Sequence, residues 1–187
     1  FSFEEQFLDY NKKNKLIIFD YSVGHIQYQA EILKNIRRII KLKRNLSDLI
    51  ICLKNYYNFI KFINRNNVNF YSKKVANKIN TNRDIKIKEI FEDVMKKNNK
   101  NITLKIDIEG SEYDIMDQIL DYENIIDQIV IEYHDTHKRK KEFFENVKMI
   151  QKYFYINHLH ANNYQQYNSD GFPINIEVSF SNNKYLD

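Results

Sequence analysis

The stretch Ile102-Thr103-Leu104-Lys105-Ile106-Asp107-Ile108-Glu109-Gly110-Ser111-Glu112-Tyr113 decides the fold. Five residues rich in apolar side chains make a short strand that stops at Asp107, and a glycine turn follows. Residues 111–122 then have helical spacing, with Ser111 and Asp114 as an imperfect capping pair. Downstream the pattern repeats. Residues 128–133 read as a strand ending at His134, and 138–151 as a helix with Phe143, Phe144, Val147 and Ile150 inward. Residues 153–159 read as a strand ending at His160. After a polar loop containing Gly171 and Pro173, residues 174–180 form a last strand in which Ile176, Val178 and Phe180 alternate with polar positions. Strand, helix, strand, helix, strand predicts an α/β fold.

Upstream, residues 3–12 carry Phe3, Phe7, Leu8 and Tyr10 at helical spacing, with Ser2 as N-cap and Glu5 three residues on. Leu16-Ile17-Ile18-Phe19 is a continuous apolar run closed by Asp20 and Ser22-Val23-Gly24, which suits a buried strand. Helices are predicted over 26–40, 47–63 and 85–97, the last with Ile87, Ile90, Phe91 and Val94 inward, and a short strand over 68–75.

The chain has 187 residues, 43% of them hydrophobic, with 14 Tyr and 13 Phe. That is enough for one core and a single domain, and it excludes a disordered tail. The single cysteine, Cys52, excludes an intramolecular disulfide and reads as a buried thiol, which suits a cytoplasmic setting. No apolar run approaches the roughly 18–20 residues of a membrane span. The chain begins with Phe, without a basic and apolar leader, so a signal peptide is not expected and truncation at the N-terminus is.

Charge divides unevenly. Residues 1–100 hold 21 Lys+Arg against 10 Asp+Glu, and residues 101–187 hold 8 against 15. The basic half raises a nucleic-acid reading. However, Arg37, Arg38, Lys41, Lys43 and Arg44 alternate with Ile36, Ile39, Ile40 and Leu42, as a solvated helix face does, so nucleic acid is not an expected partner.

Right-handed crossovers make successive strands parallel, so Asp20, Asp107, His134 and His160 are expected along one carboxyl edge, where open α/β sheets bind ligands. With them come Glu109, Gly110, Glu112, Glu132, Asn162 and Asn163. At Gly110 a missing side chain serves either a close approach or a plain turn. His134, with an ordinary pKa of about 6.5, suits a general base. His158 and His160 alternate along one strand and share a face. These histidines and Asp107 could ligate a metal in principle, but no compact ligand motif such as HExxH is present and no metal is expected.

Residues 103–113, followed after a helix by Ile131-Glu132-Tyr133-His134, resemble the signature of the FkbM-type methyltransferases. His158-Leu159-His160-Ala161-Asn162-Asn163-Tyr164 and the strand from Pro173 to Phe180 are similar to the C-terminal part of that family. The resemblance covers residues 84–180, about half of the chain. It implies a Rossmann-like class I methyltransferase sheet, mostly parallel with an antiparallel last strand and helices on both faces. It also implies S-adenosylmethionine as cofactor and methylation of an oxygen on a small-molecule or glycan acceptor such as a sugar or glycolipid.

On that reading His134 is the base, Glu132 shares its face and orients it, and Asp107, Glu109 and Gly110 border cofactor and acceptor. His160, Asn162 and Asn163 suit a hydroxyl-rich acceptor. The family's glycine-rich first turn has no evident counterpart. In one account the first strand is missing and Asp20 closes the second, holding the ribose hydroxyls. In the other, 16–19 is the first strand and Asp20-Tyr21-Ser22-Val23-Gly24 a degenerate cofactor turn. A catalytically inactive methyltransferase-like binding domain is the competing expectation, and a nucleic-acid-binding module the third.

Overall fold

A computed structural model describes residues 2–41, 45–96, 101–162 and 171–186. They fall into two compact units, residues 1–74 with 81–84 and residues 75–80 with 85–187. In the first unit, α1 (Ser2–Tyr10) is followed by β1 (Leu16–Phe19), the helices α2 (His25–Ile40) and α3 (Leu46–Ile63), and β2 (Val68–Tyr71). β1 and β2 pair in parallel, with Leu16 opposite Val68 and Phe19 opposite Tyr71. Their small core is Leu8, Phe62 and Val68. Phe59 is also buried, its ring against His25, Tyr28 and Phe70.

The chain passes to the second unit through β3 (Lys74–Val75) and β4 (Asp84–Ile85). There follow α4 (Ile87–Lys96), β5 (Ile102–Ile106), a 3-10 turn (Glu112–Asp114), α5 (Met116–Leu120), a second such turn (Glu123–Ile125), β6 (Ile126–Tyr133), α6 (Lys140–Ile150), β7 (Phe154–Ala161), β8 (Ile176–Asn182) and a last 3-10 turn (Asn183–Tyr185). Four strands form one mixed sheet in the order β5-β6-β8-β7. β5 and β6 are parallel, while β8 runs antiparallel to both β6 and β7. Hence β5, β6 and β7 all point the same way and bring their carboxyl ends to one edge, with the antiparallel last strand inserted between β6 and β7.

Alternation fixes which face is which. Ile129, Ile131, Tyr133, Ile176, Val178 and Phe180 all lie on one side, buried with Phe91 of α4, Met116 and Ile119 of α5, and Phe143 and Ile150 of α6. The intervening positions, Gln128, Glu132, Glu177, Ser179, His158 and His160, share the other side by cross-strand register. An irregularity between Ile156 and His158 resets β7, so that His158 and His160 oppose Ser179 and Glu177.

Three expectations are corrected. The helix over 111–122 is broken into a 3-10 turn and the short α5, with Ile115 between them and no side-chain cap from Ser111. Phe144 is 51% exposed although its neighbour Phe143 is buried. Successive residues are about 100° apart around a helix, so the two rings cannot both face the sheet. His160 lies inside β7 instead of after it, because the pairing with β8 continues to Ala161.

No helix among the described residues is long and apolar enough to cross a membrane. Phe143 and Phe144 offer an internal comparison of burial. Phe143→Ala is expected to lower unfolding free energy by about 3–5 kcal/mol and Phe144→Ala by well under that. Paired urea denaturation curves measure the difference.

Candidate functional site

β5 delivers Asp107 to the carboxyl edge, and the chain then turns sharply. Glu109 and Gly110 both have positive φ, 55° and 99°. A side chain at Gly110 would meet nothing within 4 Å, so the left-handed backbone and not a close approach favours glycine here. The turn folds around a carboxylate: Oε1 of Glu112 accepts the backbone N–H of Ile108 at 3.1 Å and of Gly110 at 3.0 Å. This backward reach accounts for the failure of residues 111–122 to form one regular helix.

The same Oε1 accepts from Nδ1 of His134 at 2.9 Å, and Glu112 is completely buried. Its Oε2 has no hydrogen-bond partner among the described residues. Two neighbours hold the loop and the strand end together. The hydroxyl of Tyr113 donates to the carbonyl of His134 at 2.8 Å. Arg139 donates to the carbonyl of Gly110 at 2.7 Å, lies over the Tyr113 ring at 3.9 Å and pairs with Glu142.

With Nδ1 occupied, Nε2 of His134 faces carboxylates. Glu109 Oε2 lies 3.6 Å away, Asp107 Oδ1 3.8 Å and Glu132 Oε1 3.9 Å. Glu132 is itself held by Asn162 Nδ2 at 2.9 Å and Asn175 Nδ2 at 3.2 Å, both donating to Oε1. The hydrogen bond to Glu112, with the negative charges of Glu112, Glu109 and Glu132, outweighs burial and pushes the His134 pKa up to about 9. Burial, then the charge of Glu132, raises that of Asp107. Burial also works to raise that of Glu112, but the bond from His134 and those from the backbone hold it below the usual range. An imidazole of ordinary pKa was expected at this position; its acidic surroundings instead leave it charged at neutrality.

The structure therefore brings together Asp107, Glu109, Gly110, Glu132, His134 and Asn162. The expectation of one sheet edge carrying all four strand ends is corrected for Asp20, which follows β1 in the two-stranded sheet of the first unit. His160 is exposed on the open face, its ring 6.3 Å from that of His158 and nearly parallel to it, as the alternation predicts. Asn163 lies outside the described residues. Sequence reasoning placed Glu112 in the constellation, where the structure has it, without a role of its own, and did not name Asn175 or Arg139. Glu112 had a signal: a carboxylate two residues after a turn glycine can reach back to the turn's N–H groups. For Asn175 and Arg139 only the three-dimensional register supplies the contact.

In the first unit, Oδ1 of Asp20 accepts from Ser22 N at 2.8 Å, Ser22 Oγ at 2.7 Å and Val23 N at 3.3 Å. Beyond this turn lies a cavity of about 480 Å³, lined by Ser22, Tyr28, Glu31, Asp48, Cys52 and Asn55 among others.

Residues 15–165 match the family model of the methyltransferase FkbM domain. No curated protein and no solved structure matches the chain.

In chelating buffer, His134 is expected to titrate near pH 9 by NMR. Because its folded pKa is raised, its contribution to stability is complete below about pH 6.5 and is lost as pH rises through about 9. Glu112→Gln is expected to bring the titration midpoint back toward 6.5.

Proposed function

This chain belongs to the FkbM methyltransferase family, and on that footing we propose that it methylates a hydroxyl of a small-molecule or glycan acceptor, with S-adenosylmethionine as donor. The observation that carries the reading is the loop 107–112 folded round the buried Glu112, which fixes His134 among carboxylates at a sheet edge. Such an edge is where α/β sheets present their chemistry.

Within the first unit, one pocket suits the chemistry of the cofactor. A cavity of about 480 Å³ is within the usual size of small-molecule pockets. Tyr28 offers a ring, Asp48 a carboxylate suited to a cationic sulfonium or amino group, and Asn55 an amide, while Glu31 is paired with Lys34 at 3.0 Å. Asp20 remains the candidate for the ribose hydroxyls. When bound, the cofactor supplies an electrophilic methyl group with its own leaving group.

The protein's remaining tasks are to align the acceptor oxygen and receive its proton. His134, already charged near neutrality, cannot take that proton, so we assign it to Asp107, whose affinity for a proton is raised. His134 acts as the fixed positive group that keeps Asp107, Glu109 and Glu132 gathered. Asn162 and Asn175, which hold Glu132, and His160 and Asn163 are assigned to acceptor hydroxyls or to the groups that meet them. This departs from the expectation that the imidazole is the base, and the reason is its acidic environment.

A second reading is a non-catalytic binding domain. It is favoured by Asp20, whose Oδ1 is already taken by three donors of its own loop. Thermal unfolding with S-adenosylmethionine separates the two. At about a hundred times the dissociation constant the cofactor adds roughly 2.7 kcal/mol, and a rise of several degrees is expected for an enzyme. No rise supports the binding domain. With an acceptor found by mass spectrometry, Asp107→Asn is expected to lower kcat by about 10²–10⁴-fold while the cofactor-induced rise persists.

A further inference from the structure

We propose that Asp107, Glu132 and His134 form a binding site for a divalent first-row metal ion, with Mn²⁺ or Zn²⁺ as the fitting class. One ligand atom from each of these three residues lies within 4.8 Å of the others. The separations from His134 Nε2, 3.8 Å to Asp107 Oδ1 and 3.9 Å to Glu132 Oε1, are too long for hydrogen bonds. Bonds of about 2.1 Å put neighbouring ligand atoms about 3.4 Å apart in a tetrahedron and about 3.0 Å apart in an octahedron, so the three side chains draw inward to close on an ion.

The arrangement of donors is the stronger argument. Because Nδ1–H is spent on Glu112, Nε2 presents either one proton or a lone pair to carboxylates on more than one side. A single N–H satisfies one acceptor, whereas a divalent ion satisfies the imidazole and both carboxylates together. A buried carboxylate accepting from the far nitrogen of a ligating histidine is the usual support for such a ligand, since it fixes the tautomer and ring orientation. Asn162 and Asn175 do the same for Glu132.

The support from Glu112 is built into the interior. Its side chain is wholly buried, its carboxylate faces His134, and Oε2 has no partner among the described residues. The buried carboxylate keeps Nδ1 engaged and so leaves Nε2 directed at Asp107 and Glu132. Glu109, 82% exposed on its side chain and 3.6 Å from Nε2, is placed to serve as a further ligand or to hold a coordinated water. Two carboxylates and one imidazole form a hard to borderline set, which favours Mn²⁺ and Zn²⁺ over softer ions. Coordination replaces the proton on His134 as the positive charge among these carboxylates. An ion here supplies Lewis-acid chemistry to the reaction proposed above, but its binding does not depend on that reaction.

The test titrates Mn²⁺ into the full chain without S-adenosylmethionine, followed by electron paramagnetic resonance and calorimetry after dialysis against a chelator. One ion per chain is expected, and Asp107→Asn, Glu132→Gln and His134→Gln are each expected to weaken it at least tenfold, with circular dichroism confirming folded variants. His134→Gln is paired with His134→Asn, so that loss of fold in one leaves the other to report. Hyperfine coupling of the bound Mn²⁺ to imidazole nitrogen is expected in the wild type and absent in the His134 variants. Binding that survives these substitutions but is lost in His158→Gln/His160→Gln would assign the ion to the exposed histidine pair and overturn the proposal. Absence of any binding up to millimolar Mn²⁺ or Zn²⁺ would overturn it too. Cofactor-induced thermal stabilisation measured in chelator reports on the methyltransferase reading separately.

Discussion

The hydrogen bond between the buried Glu112 and His134 organises the edge of the second unit. One carboxylate oxygen receives two backbone N–H groups from the turn after β5 and one imidazole N–H from the end of β6. A carboxylate in a wholly buried position is costly unless its lone pairs are met by donors, and these three meet one oxygen completely. The turn, the break in the following helix, the tautomer of His134 and the direction of Nε2 all follow from it. Tyr113 and Arg139 reinforce the same joint from outside, tying His134's carbonyl and Gly110's carbonyl to side chains of neighbouring elements.

This joint explains how an acidic site stays assembled. Asp107, Glu109 and Glu132 repel one another, and the group that faces all three is one imidazole kept charged by its bond to Glu112. The residue chosen from sequence as a base is thereby better suited to holding carboxylates than to taking a proton. The assignment of the proton to Asp107 comes from this inversion of the expected electrostatics, whereas the suitability of the same cluster for a divalent ion rests on the placement of its donor atoms. Family membership supplies the reaction class, whereas the acceptor and the cofactor contacts rest on the proposal.

Most elements were legible because their signals are local. The apolar runs 16–19 and 102–106, the alternation at Ile176, Val178 and Phe180, and the periodic helices 26–40 and 47–63 all appear close to their expected positions. Burial of Ile87, Phe91 and Val94 on α4 follows from spacing alone. The errors lie where a long-range contact overrides a local preference. Residues 111–122 look helical until Glu112 turns back to the loop before it, and Phe144 looks inward until α6 has a definite rotation against the sheet.

The sequence by itself determined the α/β class and the placing of Asp107, Glu132 and His134 at or beside strand ends, because periodicity and residue type act within a few residues, and its motif residues carried the resemblance to the family. Only the tertiary structure decided that β8 enters between β6 and β7, that Asn175 reaches Glu132, that Asp20 belongs to another sheet, and that His134 is ringed by carboxylates. Those facts depend on distances between residues far apart in the chain. Electrostatic energy varies with such distances and with burial, neither of which is written in the order of the residues.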